Sequence, residues 1–378
     1  MMPLQKYFTL RNVIILGLVV AFGVTFSEVL RGAHRNFMIF SFSTRDFWSG
    51  ISPYGQQWWR HGLDYYLYAP TFNVLFAPFA FLPQWLGAFV WNLFNYSLFA
   101  LSVYYLPRLS ELNKCRLLLY SLPILATAQL SFQYNVAIAY IFLFAFTLLE
   151  KGYYKWAILL IMTSALTKVY GGFELALLLF YPRLWRNLGW AVLWGAVLFL
   201  LPLLRLGGSE FLPYYSQWIG ALSSHEDTRV FESFFDTHFL FSQGHPSYTS
   251  YVQIGLFMVL AILSLLRHKL WNVYLFRVGV LASIMGWMIV FGSASEKHTY
   301  LIAIVGYLFW YWSLPRRELW DKILYWATLL VVVIMPVDLL CPVVVMRFFH
   351  DTLELNQLLF LVVWLTIVYR TFFNKNLE

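Results

Sequence analysis

Apolar residues run through the chain in long blocks separated by short polar stretches. The blocks predict helices over 12–30, 84–106, 115–131, 135–149, 156–169, 171–182, 187–204, 250–266, 272–292, 299–314, 321–342 and 354–371. A helix needs about 20 apolar residues to cross a bilayer. Several blocks are shorter, as in tilted or broken spans. The block TFNVLFAPFAFLP, over 71–83, is too short to cross, and its flanking prolines predict a re-entrant or interfacial helix. The pattern therefore predicts an all-α polytopic membrane protein with about twelve transmembrane helices in one domain, 1–378. A first outer loop covers 31–83 and a long outer loop 205–249. The first block lacks an A-x-A-like cleavage site and reads as a retained span.

Composition agrees with this pattern. The 378 residues are 61% hydrophobic and 12% charged, whereas soluble domains carry about 25% charged residues. Two cysteines, Cys115 and Cys341, lie in different segments and form no CxxC, which excludes a disulfide framework and a cysteine metal site. The net charge of +8 would suit a nucleic-acid partner in a soluble protein. Here the positive-inside rule explains it instead.

With both termini placed in the cytoplasm, most of the 26 Lys and Arg residues fall on the inner side, and every short inner loop carries at least two. The inner loops, such as EKGYYK and YPRLWRN, are short. The outer segments are longer and chemically mixed, so function is expected to face outward.

The first outer segment carries Arg31, Arg35, Arg45 and Arg60 within thirty residues. Guanidinium is a good bidentate partner for phosphate, so this density suggests an anionic ligand. Attraction to anionic headgroups is the alternative. Lys168 and Glu174 lie at membrane depth in ALTKVYGGFELALL. They either pair with each other or give Lys168 a phosphate or substrate contact. Asp338 reads as a possible helix-end residue. Gln133 and Asn135, in LSFQYNVAI, offer amides for sugar hydroxyls, although Asn is also a good helix cap.

Between two apolar blocks lies SASEKHTYL. A carboxylate or imidazole at a partly dry interface suits proton transfer, so Glu296 and His298 are candidates. A solvated turn is the plain alternative. No HExxH, Walker, GxSxG or DxD motif is present.

One block carries more information: SGISPYGQQWWRHGLDYYLYAPTFNVLFAPFAFLPQWLGAFVWNLFNYSLFALSVYYLP. It resembles glycosyltransferase family 87, which are GT-C-class membrane enzymes that use polyprenyl-phosphate mannose. The matching elements are the G-x-x-P-Y turn at Gly50, Pro53 and Tyr54, then Tyr68 and Pro70 entering LFAPFAFLP, then Trp91, Asn92 and Asn95. Further on, G-Q-x-N looks like FQYN with Phe132 in the glycine's place. Lys168, Val169 and Tyr170 resemble the family's l-K-p-y, and SASEKHTYL its late outer loop.

The resemblance implies a GT-C-like fold with an outward-facing cavity in a bacterial plasma membrane, active on the periplasmic side. It implies inverting transfer of a hexose, mannose first, from a polyprenyl-phosphate donor to a lipid or glycan acceptor without a metal or other cofactor. One departure stands out. Counting back from Gly50 to the family's expected catalytic Asp lands on Asn36, and a carboxamide cannot accept a proton. The available bases are Glu296 and His298, then Asp46 and Asp64. Arg45, Arg60 and Lys168 are the expected phosphate contacts, with Asn36, Tyr68, Gln133 and Asn135 completing the substrate site. Two other readings stay open: a transporter or flippase of lipid-linked glycan, and an inactive homologue.

Overall fold

The computed structural model describes residues 9–55, 60–228, 246–292, 296–337, 341–349 and 355–374. Among them the chain is helical throughout, without strands. Among the described residues, four helices are long and apolar enough to cross a membrane: Leu10–Leu30, Gln84–Tyr104, Leu184–Leu204 and Leu355–Phe372. Shorter apolar helices include Asn135–Glu150, Tyr154–Ala165 and Tyr274–Val290.

Local chemistry sets several boundaries. Helix α1 (Leu10–Leu30) starts where the Thr9 hydroxyl accepts from the Asn12 N–H. The helix Glu111–Leu130 starts likewise, with the Ser110 hydroxyl accepting from Asn113 N–H. It therefore begins four residues before the apolar block does.

Helices arise inside both expected outer loops. Helix α2 (Arg35–Trp48) buries Phe37, Phe40, Thr44 and Phe47, one face of an amphipathic helix. The block 71–83 folds as two short pieces, α3 (Pro70–Leu75) and α4 (Ala77–Ala80), with Pro70 at a first helical position, where its missing N–H costs nothing. Further along, the helix Gly208–Thr228 buries Phe211, Tyr214, Tyr215 and Ala221. It clasps the segment before Tyr68. Tyr214 Oη donates to Ile51 O at 2.9 Å and Trp218 Nε1 to Leu67 O at 3.0 Å. Arg205 Nε also donates to Trp48 O at 2.8 Å. Gly50 sits at φ +81°, and a Cβ there would stand 2.5 Å from Arg205 Nη2, so both backbone and space call for glycine.

The segment Val169–Phe180, expected as an ordinary span, is a 3-10 helix of 12 residues. It buries Gly171, Glu174, Leu177, Leu178 and Phe180, and all of these but Leu178 repeat every third residue, the period at which a 3-10 helix eclipses its side chains. A side chain at Gly171 would collide with Ser164, so the glycine permits close approach to Tyr154–Ala165.

The connections gather at two ends of the bundle. At one end Asn36 meets Ser131, Ala69 N–H donates to Thr167 O at 3.3 Å, and Gln133 reaches Glu296. At the other, Leu10 N–H donates to Glu111, Tyr274 Oη to Pro107 O, and Arg277 to Glu150. This second end holds a buried clamp. Arg277 Nε and Nη2 grip both Glu150 oxygens at 2.6 and 2.9 Å, and Tyr181 Oη donates to Glu150 Oε1 at 2.6 Å.

Candidate active site

The turn 131–134 between Glu111–Leu130 and Asn135–Glu150 organises the first end. Its Phe132 adopts φ +53°, a left-handed conformation that is unusual for a bulky residue. This is the position at which the resemblance places glycine. The ring is buried against Phe37 and His34, and the Phe132 carbonyl accepts from Trp91 Nε1 at 3.3 Å. Packing thus holds a backbone shape that the residue itself disfavours.

The turn carries Gln133 and Asn135 to two other segments. Lys168 Nζ donates to Asn135 Oδ1 at 3.4 Å, Asn135 Nδ2 to Gln133 Oε1 at 2.7 Å, and Gln133 Nε2 to Glu296 Oε2 at 3.3 Å. Glu296 Oε2 lies 2.6 Å from His298 Nε2. Thr299 fixes this late turn by donating to Glu296 O from both its hydroxyl and its N–H. The Tyr68 phenol lies near enough to feel the Glu296 charge; burial first, and then this carboxylate among other influences, raises its pKa.

Four of the expected site residues, Lys168, Asn135, Gln133 and Glu296, thus form one hydrogen-bonded path, with His298 in ion-pair contact with Glu296 and Tyr68 beside it. A small pocket opens next to it. Asn135, Lys168, Tyr170 and Thr299 give it a polar side, and Met288 and Ile302 an apolar one.

Electrostatics favour an ionised Glu296. The His298 contact pulls its pKa down to about 2, against the effect of burial, and Gln133 and Lys168 add to the lowering. So acidic a carboxyl is a weak base by itself. Beside an imidazole it can orient the ring and steady its protonated form.

The remaining expected residues lie elsewhere. Arg45 donates from Nε to Ala80 O at 2.8 Å and from Nη2 to Leu82 O at 3.0 Å, closing off the carbonyls that end α4. Asp46 meets His61 Nε2 at 3.0 Å and Arg60 Nη1 at 3.8 Å, and the His61 ring stacks on Phe42. Asp64 is exposed and accepts from the Tyr65 N–H. Asn36 reaches the turn 131–134, its Nδ2 donating to Ser131 O at 2.6 Å.

The geometry removes two of the plain readings raised by the sequence. Asn135 does not cap its helix, because the N-cap position is Tyr134 and no side chain bonds there. Lys168 and Glu174 do not pair. Lys168 stands outside the 3-10 helix as its extended N-cap residue, whereas Glu174 lies inside it. Glu174 is fully buried, and among the described residues neither of its oxygens meets a hydrogen-bond partner. Asp338 and the stretch 293–295 lie outside the described residues.

Sequence reasoning missed His34. It is buried between α1 and α2, both ring nitrogens lack a hydrogen-bond partner among the described residues, and burial lowers its pKa. The signal was a histidine two residues before Asn36, masked by Arg31 and Arg35 on either side.

The motif W-N-L-x-N serves packing. Asn92 Nδ2 donates to Thr25 Oγ1 and Gln129 O, each at 3.0 Å, and Gln129 Nε2 returns a bond to Asn92 O at 3.1 Å. These amides join three helices where water is scarce.

A profile of glycosyltransferase family 87 matches residues 66–336. No curated protein and no solved structure matches the chain. The matched stretch contains Tyr68, Gln133, Asn135, Lys168, Glu296 and His298. Asn36, Arg45, Asp46, Arg60 and Asp64 precede it.

Proposed function

Because the chain belongs to glycosyltransferase family 87, we propose that it transfers a hexose, mannose first, from a polyprenyl-phosphate donor to a lipid or glycan acceptor with inversion. The observation that carries this reading is the hydrogen-bonded path from the Lys168 cation to the Glu296–His298 pair. A phosphate-leaving reaction needs a positive charge for the leaving group and a proton acceptor for the nucleophile. Both are present in one group of residues, next to a pocket with an apolar wall.

In this mechanism His298 takes the proton from an acceptor hydroxyl, and ionised Glu296 steadies the imidazolium. The acceptor oxygen bonds to the anomeric carbon from the face opposite the phosphate. The carbon–oxygen bond to phosphate breaks, and its electron pair leaves on the polyprenyl phosphate, whose charge meets Lys168. Attack opposite the leaving group inverts the anomeric centre. Arg45, Arg60, Asp46 and Asp64 take no part, since each is engaged elsewhere.

The same reading includes twelve crossings, cytoplasmic termini and a periplasmic site. Two things support it: the connections alternate between the two ends, and Arg108, Lys114, Lys151, Lys155, Arg183 and Arg186 belong to connections or helix ends away from the site. The test is transfer of labelled mannose from polyprenyl phosphate in membranes containing the chain. His298→Gln should lower kcat by about 100-fold or more, on the order expected for a general base. Lys168→Met should cost about 100-fold through the leaving group. Wild-type rates in both His298→Gln and Glu296→Gln would overturn the assignment, and a glucose donor preferred over mannose would change the sugar.

A further inference from the structure

The side chains from Lys168 to Glu296 form one directed path. An ammonium group only donates hydrogen bonds and an ionised carboxylate only accepts them. The two amides between them therefore have a single allowed orientation. Asn135 presents its oxygen to Lys168 and its NH2 to Gln133, and Gln133 presents its NH2 to Glu296. Both amide dipoles point their positive ends toward the carboxylate, and aligned hydrogen bonds strengthen one another. Asn135 begins a helix without capping it, so its amide is committed to this path.

We propose that this path is a donor sensor: with no donor bound, Lys168 and the two amides keep the Glu296–His298 pair a poor proton acceptor, and an anionic lipid phosphodiester arriving at Lys168 arms it. Gln133 and Asn135 are then positioning residues, acting through Glu296 rather than on the sugar. The inference rests on the lipid-phosphate reading above and adds an order to it, donor first and acceptor second. The base becomes competent only when the sugar it serves is in place.

Among the described residues, the groups facing Glu296 are His298 on its own turn, Gln133, Lys168 and the Tyr68 phenol. Lys297 reaches Met346 Sδ at 3.7 Å. Of these, Lys168 is the cation that a phosphate would neutralise. The two aligned amides relay the loss of the Lys168 charge along the path, and a change of about 1.4 kcal/mol delivered this way shifts a titration by about one pH unit. A one-unit rise on binding draws in about half a proton at its maximum.

The experiment is calorimetric titration of the purified full chain with farnesyl methyl phosphodiester, whose single charge does not titrate near neutrality. It is run in two buffers of different ionisation enthalpy across pH 5 to 8. The wild type should take up about half a proton per site at the peak. Gln133→Met, at a half-buried position, should still bind but with uptake reduced at least twofold. His298→Gln should bind with no uptake. In turnover, the acid limb for kcat should lie about one unit above that for donor kcat/KM in the wild type, and the two should converge in Gln133→Met. Binding without uptake in the wild type, or equal uptake in Gln133→Met, overturns the sensor and leaves the donor assignment standing. Failure of the folded wild type to bind the phosphodiester overturns the lipid-phosphate reading, and the sensor with it.

Discussion

Replacing Asn36 with Asp is the substitution that the family resemblance invites, and the structure opposes it. The Asn36 amide donates to Ser131 O at 2.6 Å, at the C-terminal end of Glu111–Leu130. An Asp carboxylate would set an acceptor against that acceptor. The lost hydrogen bond costs about 1 kcal/mol. Facing the negative end of a helix adds about 0.3–1 kcal/mol, or somewhat more where water is partly excluded. Asn36→Asp should therefore lose about 2 kcal/mol and gain no activity. The pH sense follows from the same contact. The new carboxyl has its folded pKa raised, so the variant matches the wild type below the unfolded value near 4 and weakens as pH rises through the folded value. A protonated Asp can again donate to Ser131 O. Thermal unfolding in detergent at pH 4 and pH 8, paired with the mannose-transfer assay, measures both effects. An activity gain with unchanged stability at pH 8 would refute the reasoning and return the catalytic base to position 36.

Other expectations follow from single contacts. Arg277→Met leaves Glu150 buried with its cation removed, which should cost about 3–5 kcal/mol and sharply reduce folded protein. Adding Glu150→Met should recover part of that loss, and thermal shift measures both. At position 132, Ala and Gly should both destabilise by about 3–5 kcal/mol because the buried ring is lost. Gly should nonetheless be the milder by about 1 kcal/mol, because the backbone is left-handed there. Since the pKa of Glu296 is lowered to about 2, the stability advantage of the wild type over Glu296→Gln should be present at about pH 5. It should fade as pH drops from about 4 toward 2, read again by thermal shift.

The helical blocks were legible because lipid-length apolar runs leave few alternatives. The blocks over 84–106, 135–149, 187–204 and 354–371 end within a few residues of Gln84–Tyr104, Asn135–Glu150, Leu184–Leu204 and Leu355–Phe372. Helix α2 was hidden in plain view. Phe37, Phe40, Thr44 and Phe47 have helical spacing, but the surrounding arginines made the stretch read as loop. The 3-10 form of Val169–Phe180 was not legible, because it depends on how closely Gly171 approaches Ser164.

Within the site, the polar residues at block junctions could be found because charge at a membrane boundary is costly and seldom accidental. Which junctions converge could not be read: Gln133 and Glu296 stand 163 positions apart. The role of Arg45 was also out of reach, since its partners are the backbone carbonyls of Ala80 and Leu82, which no sequence pattern marks.

The most direct measurement is an experimental map of the full chain with farnesyl methyl phosphodiester bound. The phosphate should lie within hydrogen-bond reach of Lys168 Nζ, with its methyl ester, standing where the sugar attaches, turned toward His298. Density for the phosphate against Arg45 and Arg60, or at the Glu150–Arg277 end of the bundle, would contradict a transfer site built on Lys168, Glu296 and His298.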